Sequence, residues 1–204
     1  MKITWFGHSC FKIDSQDASL VIDPYAPNSV PGLKPLHLQA DLVLNSHRHD
    51  DHYCPQAVTV RMEHPGVFSI SHLDTYHDDV QGAARGTDRI HIISAEGLRL
   101  AHLGDLGCDL TADQAQALTG LDVLMVPVGG HFTIDGDQAF RIAERLKPRS
   151  VIPMHYRGEG FGYEVITTVD RFLSHFPEAE RLDTNVVEVT DRQPVGVIVP
   201  AMPR

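Results

Sequence analysis

Within six positions, His47-Arg48-His49-Asp50-Asp51-His52, the chain places three histidines and two aspartates. Imidazole nitrogens and carboxylate oxygens are ligands of zinc and similar divalent ions. In extended or loop backbone, side chains two residues apart point the same way, so His47 and His49 can address one ion. Asp51 and His52 follow at a spacing that lets the chain turn toward a second. A polar surface loop accounts for a lone histidine, but not for this pattern. More groups of the same chemistry follow: His77 in Thr75-Tyr76-His77-Asp78-Asp79, Asp105 in His102-Leu103-Gly104-Asp105-Leu106-Gly107, His131 in Gly129-Gly130-His131-Phe132-Thr133 and His155 in Pro153-Met154-His155-Tyr156. Spacing alone leaves His64, His72 and His77 equally open as partners of His47 and His49.

Rigid elements must hold these groups. Leu42 to Leu44 is a short apolar run that reads as a buried strand, ended by Asn45-Ser46. Ile3 to Phe6, Phe11 to Ile13 and Leu20 to Ile22, punctuated by Gly7-His8-Ser9 and Asp14 to Asp17, predict a β-meander. Asp23-Pro24 opens a proline-rich connector, and Asp23 reads either as a strand-end residue or, in view of the ligands that follow, as a carboxylate supporting them. Val67 to Ile70 predicts a strand. Ile90 to Ser94 and Leu98 to Leu103 flank Ala95-Glu96-Gly97 as a hairpin. Thr111 with Gln114 is a capping box for a helix to about Leu118. Leu121 to Val128 reads as a strand, Asp137 to Lys147 as a helix stopped by Pro148, and Ser150 to Met154 as a strand. Val169 to Phe176 predicts a short helix, and Val186 to Val189 and Val195 to Val199 closing strands. The strands at Leu42, Leu98, Leu121 and Ser150 each end in His, Asp or Gly-Gly-His, which is how a sheet positions a metal site.

The 204 residues suit a single domain spanning 1–204, and 42% apolar composition supplies a sizeable core. A net charge of -10 argues against nucleic acid and anionic membrane as partners. Three scattered cysteines without a CxxC are no disulfide framework, and Met1 to Phe11 lacks the apolar core of a signal peptide. A cytoplasmic location is expected, and no run approaches transmembrane length.

With this order of elements, the chain resembles the metallo-β-lactamase superfamily through His47-x-His49-x-Asp51-His52, His77, Asp105 and His155. It is similar in particular to the short zinc-dependent hydrolases related to ascorbate-6-phosphate lactonase. That likeness adds Gly7-His8-Ser9-Cys10-Phe11 and the motifs around His77, Asp105, His131 and His155, spanning Lys2 to about Ile198. The resemblance implies an α/β fold, a four-layer αββα sandwich with a dinuclear site at one edge. By family position His47, His49 and His77 would hold one ion, Asp51, His52 and His155 the other, and Asp105 would bridge. Other branches fit less well. The residue at 105 is Asp rather than the Cys of the main secreted β-lactamases, and 49 is His rather than the Glu of the di-iron branch. The chain leaves little room for the C-terminal helices of thiolester hydrolases, and is too short and too acidic for the RNA-processing enzymes.

The implied chemistry is hydrolysis of an ester, lactone or phosphodiester of a small substrate, an anionic one included. Two divalent ions, Zn2+ first with Mn2+, Ni2+ or Fe2+ fitting the same donors, would share a hydroxide acidified toward neutral pH. Asp105 would orient it, while His131 and Tyr156 would stabilise the developing oxyanion or protonate the leaving group, or simply support the ligands. Arg85 is a candidate grip for an anion. His64, His72, His91 and His175 read as surface or packing residues, and His102, at a strand end, as a structural residue or a hydrogen-bonding support rather than a ligand. The competing reading is a metal-binding regulatory or scaffold protein without turnover. Substrate and oligomeric state are not written in the sequence.

Overall fold

The computed structural model describes residues 1–64 and 66–202. β1 (Lys2–Trp5), β2 (Phe11–Ser15) and β3 (Ala18–Ile22) form the expected antiparallel meander. Period-two alternation sets its faces. Ile3, Trp5, Phe11, Ile13, Leu20 and Ile22 enter the main core, whereas Val21 joins a second cluster on the other side. After the proline-rich connector come β4 (Leu38–Ala40) and β5 (Leu42–Leu44), the latter pairing parallel with β3. β6 (Val58–Val60) pairs parallel with β4 in a small ribbon.

β7 (Ser69–Tyr76) starts inside the expected strand and runs on past its end at Ile70. It is an edge strand whose Ser69, Ser71, His72 and Asp74 face solvent, so no apolar run marks it. β8 (Thr87–Ala95) and β9 (Leu98–His102) form the hairpin. Its two turn residues, Glu96 and Gly97, both hold positive φ (55° and 76°), as a type I′ turn requires. Then follow α1 (Ala112–Ala117), β10 (Val123–Pro127), α2 (Gly136–Leu146) and β11 (Ser150–Met154). Both helices start from complete capping boxes, Thr111/Gln114 and Asp135/Gln138. α3 (Asp170–Leu173) is shorter than the pattern implied, and β12 (Glu180–Arg181), β13 (Val186–Glu188) and β14 (Gly196–Val199) close the chain.

The strands assemble into two main sheets, ordered β13-β1-β2-β3-β5 and β12-β14-β11-β10-β9-β8-β7. One continuous apolar cluster joins their facing sides, from Trp5 and Phe11 to Ile93 and Leu100. Each such buried side chain contributes about 1.5–3 kcal/mol. α2 and α3 pack together on the seven-stranded side. The outer layer over the five-stranded sheet is formed by the connector and ribbon, through Tyr25, Val30, Leu33, Leu36 and Val58 around Cys10 and Val21. No helix among the described residues is long and apolar enough to cross a membrane.

This topology decides where the polar groups gather. β3 and β5 run parallel, as do β9, β10 and β11; β7 is antiparallel to β8, and β8 to β9, so β7 runs with β9. The segments just after β3, β5, β7, β9 and β11 are those that carry Asp23, His47, His77, Asp105 and His155.

Candidate metal centre

Two ligand groups form at that edge. His47, His49 and His77 can place one ligand atom each within 4.8 Å of one another. So can His8, Asp51, His52 and His155, and a third set, His47, His52 and Asp105, links the two. Asp105 lies at the junction. Its carboxylate oxygens stand 3.1 Å from His52 Nε2, 3.2 Å from His77 Nε2, 3.3 Å from His155 Nε2 and 3.9 Å from His47 Nε2.

The far side of three of these rings, His47, His52 and His77, is already engaged. His52 Nδ1 donates to Asp23 Oδ2 at 2.8 Å, and the Phe132 carbonyl accepts from His77 Nδ1 at 3.1 Å. His47 Nδ1 faces Ser46 Oγ at 3.0 Å and Asp88 Oδ1 at 3.2 Å. These partners leave Nε2 of each ring as the atom turned to the centre. Nε2 of His47, His52 and His155 and Oδ1 of Asp105 are buried and make no hydrogen bond. An unsatisfied buried polar atom costs about 1–3 kcal/mol, so several converging on one place call for a common partner. Divalent ions that take imidazole and carboxylate donors meet that demand, and the residues present fit them.

Charge agrees with geometry. Burial works against charge on both Asp105 and His52. Their mutual attraction outweighs it, with His155 holding Asp105 well below the carboxylate range and Asp105 and Asp23 holding His52 above the usual histidine value. Burial would raise Asp23, but His52 brings it down to about 2. His8 is pushed down to about 4, first by burial and then by His155, and stays neutral.

Backbone details fix the ligands in place. A Cβ on Gly129 would stand 2.1 Å from the His155 carbonyl oxygen, and one on Gly107 would stand 2.3 Å from the His77 carbonyl carbon. Only glycine lets the chain pass so close. His8, Asp23 and His155 hold φ of 52°, 49° and 54°, the left-handed region that costs a non-glycine residue about 1–2 kcal/mol.

The "Beta-lactamase superfamily domain" family model matches residues 2–155, which takes in all of these groups. The chain belongs to the metallo-β-lactamase superfamily. Among superfamily members, a protein named UPF0173 metal-dependent hydrolase from Thermoplasma acidophilum is 29% identical over 189 residues, covering 76% of this chain and 83% of that one. A Thermotoga maritima crystal structure, described as a candidate zinc-dependent hydrolase of the metallo-β-lactamase superfamily, is 31% identical with a TM-score of 0.74, covering 97% of each chain. Igni18, a metallo hydrolase of Ignicoccus hospitalis, shares the fold at a TM-score of 0.66 and 22% identity, over 86% of this chain and 90% of its own.

In this superfamily chain the seven residues read as ligands all lie in the two groups or at their junction. The other expected site residues are placed differently. Tyr156 belongs to the apolar core, its ring stacked on Trp5 at 5.5 Å, and no contact brings it to the ligand groups. His131 is exposed, edge-on to Phe132 at 4.6 Å. What its motif supplies to the centre is the Phe132 carbonyl on His77. Arg85 lies 5.8 Å over the Phe132 ring. His102 is a support, as expected, facing the Ser9 carbonyl from Nε2 at 2.9 Å and accepting from Gly104 N–H at 3.2 Å.

Three residues near the centre were not read from sequence. His8 has its Nε2 3.3 Å from Asp51 Oδ2 and its ring 4.0 Å from that of His155. Its signal was present, since Gly7-His8 follows a strand just as Gly130-His131 does. Tyr163 donates from its hydroxyl to the Ser29 carbonyl at 2.7 Å and lies 3.2 Å from Asp51 Oδ2. Asp88 is buried behind His47, its carboxyl pushed up by burial against the pull of His47. Neither has a local mark, because long-range packing brings both in.

Proposed function

We propose that this metal-dependent hydrolase works through a dinuclear centre, zinc in the first place, and cleaves an ester, lactone or phosphodiester of a small substrate. The observation that carries the reading is the position of Asp105, 3.1–3.3 Å from histidines of both ligand groups. His47, His49 and His77 would hold one ion and Asp51, His52 and His155 the other, with Asp105 between and His8 beside the second group. When bound, such ions supply an acidified water as nucleophile and an electrophile for the substrate's oxygen.

The chain's own residues divide the remaining work. Asp105, held ionised by the surrounding histidines, accepts a hydrogen bond from the attacking water and fixes its direction. Tyr163 keeps its phenolic proton, because burial and then Asp51 push its pKa up, and by turning its hydroxyl from the Ser29 carbonyl it can donate a hydrogen bond to a developing oxyanion. It takes the role that Tyr156, in the core, is not placed to fill. His131, exposed in the Gly129–Thr133 segment, is available as a proton donor to a leaving group.

The test compares Asp105→Asn with His47→Ala. Asp105→Asn leaves three ligands in each group, enough for binding. It should retain substantial metal at saturation, yet lose turnover by about 10²-fold or more, the scale of a lost positioning group. His47→Ala, which removes a ligand of the first ion, should lower metal content directly. Metal content beside turnover, over a panel of esters, lactones and phosphodiesters, reads both. Normal turnover in Asp105→Asn would remove Asp105 from the bridging role. Stable metal without turnover across the panel would favour a metal-binding regulatory protein.

A further inference from the structure

Beside the first ligand group, a cleft of about 630 Å³ runs along β5 and the start of β8, with His47 and His49 in its wall. That volume is the size of a small-molecule site. The sequence has 27 acidic residues against 17 lysines and arginines, yet among the described residues no carboxylate lines this cleft. Its charged walls are Arg48, Arg85 and Arg89. Arg48 lies 5.7 Å over the Tyr53 ring and Arg85 over Phe132, and neither forms an ion pair among the described residues. Arg89 is held by Asp74 at 3.3 Å. The buried Asp88 carboxyl is directed at His47 and does not line the cleft.

His91 supplies a second, independent sign. It lines the cleft from β8, is 5% exposed, and both of its ring nitrogens are buried without a hydrogen-bond partner. A buried ring left without partners in a wall studded with arginines lacks an acceptor, and an anion is an acceptor. Guanidinium groups stacked on aromatic rings keep their planar forks available, and that fork matches both phosphate and carboxylate.

We infer that this cleft binds an anionic group of the substrate, a phosphate monoester or a carboxylate, set apart from the bond that is cleaved. The inference rests on the reading that the adjacent centre holds the scissile bond. Arg48 and Arg85 grip the anion, His91 donates from the floor, and the uncharged remainder of the molecule reaches past His47 and His49 to the centre.

The test is equilibrium binding, which needs no turnover. Zinc-loaded full-length protein is titrated by calorimetry with glycerol 3-phosphate, glycerate and glycerol, and the His91 ring is followed by NMR. An anion should bind and glycerol should not, the His91 resonances should shift, and added salt should weaken binding. Arg48→Gln and Arg85→Gln should each weaken it about tenfold, and Arg85→Lys should restore part of the loss. Tighter binding of glycerol 3-phosphate assigns phosphate monoesters, and of glycerate carboxylates. No binding of either anion, unchanged affinity in both arginine variants, or shifts confined to His47, His49 and His77 would overturn the inference. Anion binding without turnover on any substrate would sink the hydrolase reading and leave the cleft; turnover of a neutral ester without anion binding would do the reverse.

Discussion

Asp23 shows what a buried carboxylate can do without touching the centre itself. It accepts hydrogen bonds from His52 Nδ1 at 2.8 Å, Ser46 N–H at 2.7 Å and Ser46 Oγ at 2.7 Å. Through them it orients one ligand and anchors the residue before another. Asp23→Asn keeps the shape but removes the charge that favours the His52 N–H and its orientation. Metal affinity should fall about 10–100-fold, the usual cost of such a partner, with the fold intact. Chelator competition measures this, and unchanged affinity would show that packing alone orients His52. At this scale the sequence was informative where ligands cluster along the chain, as from His47 to His52. It was silent where a residue acts through space. Tyr163 reaches Asp51 across 112 positions, and no local pattern encodes that approach.

At the scale of elements, local chemistry was easiest to read where it is self-contained. The capping box at Thr111 and the hairpin at Glu96-Gly97 form as expected because each is decided within a few residues. β7 was legible only at its start, Ser69 and Ile70, because an edge strand needs only one buried face. The β4–β6 ribbon was missed because three-residue strands far apart in sequence leave no pattern. Glycines beside ligands also act as element-level spacers. Gly129→Ala would drive a Cβ into the His155 carbonyl, and backbone cannot yield as a flexible side chain can. We expect about 1–3 kcal/mol of destabilisation together with reduced metal content. Thermal melting and elemental analysis read the two, and a normal value for either would show that the His155 segment adapts. The α2–α3 contact carries a separate, acid-sensitive term. Asp137 is bound by Arg171 and His175, which bring its pKa from 3.8 to about 2. A carboxyl with a depressed folded pKa stabilises the fold above its unfolded value and loses that contribution as pH falls through the folded one. In metal-free protein, Asp137→Asn should therefore flatten the fall in melting temperature between about pH 4 and pH 2. An unchanged slope would mean the ion pairs do not hold α3 to α2.

At the scale of the molecule, the ligands come from loops that follow β5, β7, β9 and β11, so they span both sheets. Ions bound there tie the sandwich together and stabilise it by mass action. Chelation should lower the melting temperature by roughly 5–10 °C for each site that was a hundredfold saturated. No change, with metal loss confirmed, would uncouple the centre from the fold. The individual strands were legible because apolar runs and punctuation recur along the whole chain, whereas their assembly into two facing sheets was implied by the family resemblance. The outer layer over the five-stranded sheet was not, because Tyr25, Leu33 and Leu36 come from an irregular connector without period.

His8, Asp23 and His155 sit in backbone that favours glycine, and the few residues that visit it otherwise are mainly asparagine, aspartate and histidine. This narrows the mutational paths open to the chain. A population drifting under selection for folding alone would be drawn toward glycine or asparagine at all three positions. A relative that has kept the sandwich and lost its chemistry should carry that signature there, while persistence of His, Asp and His marks selection for what the side chains do.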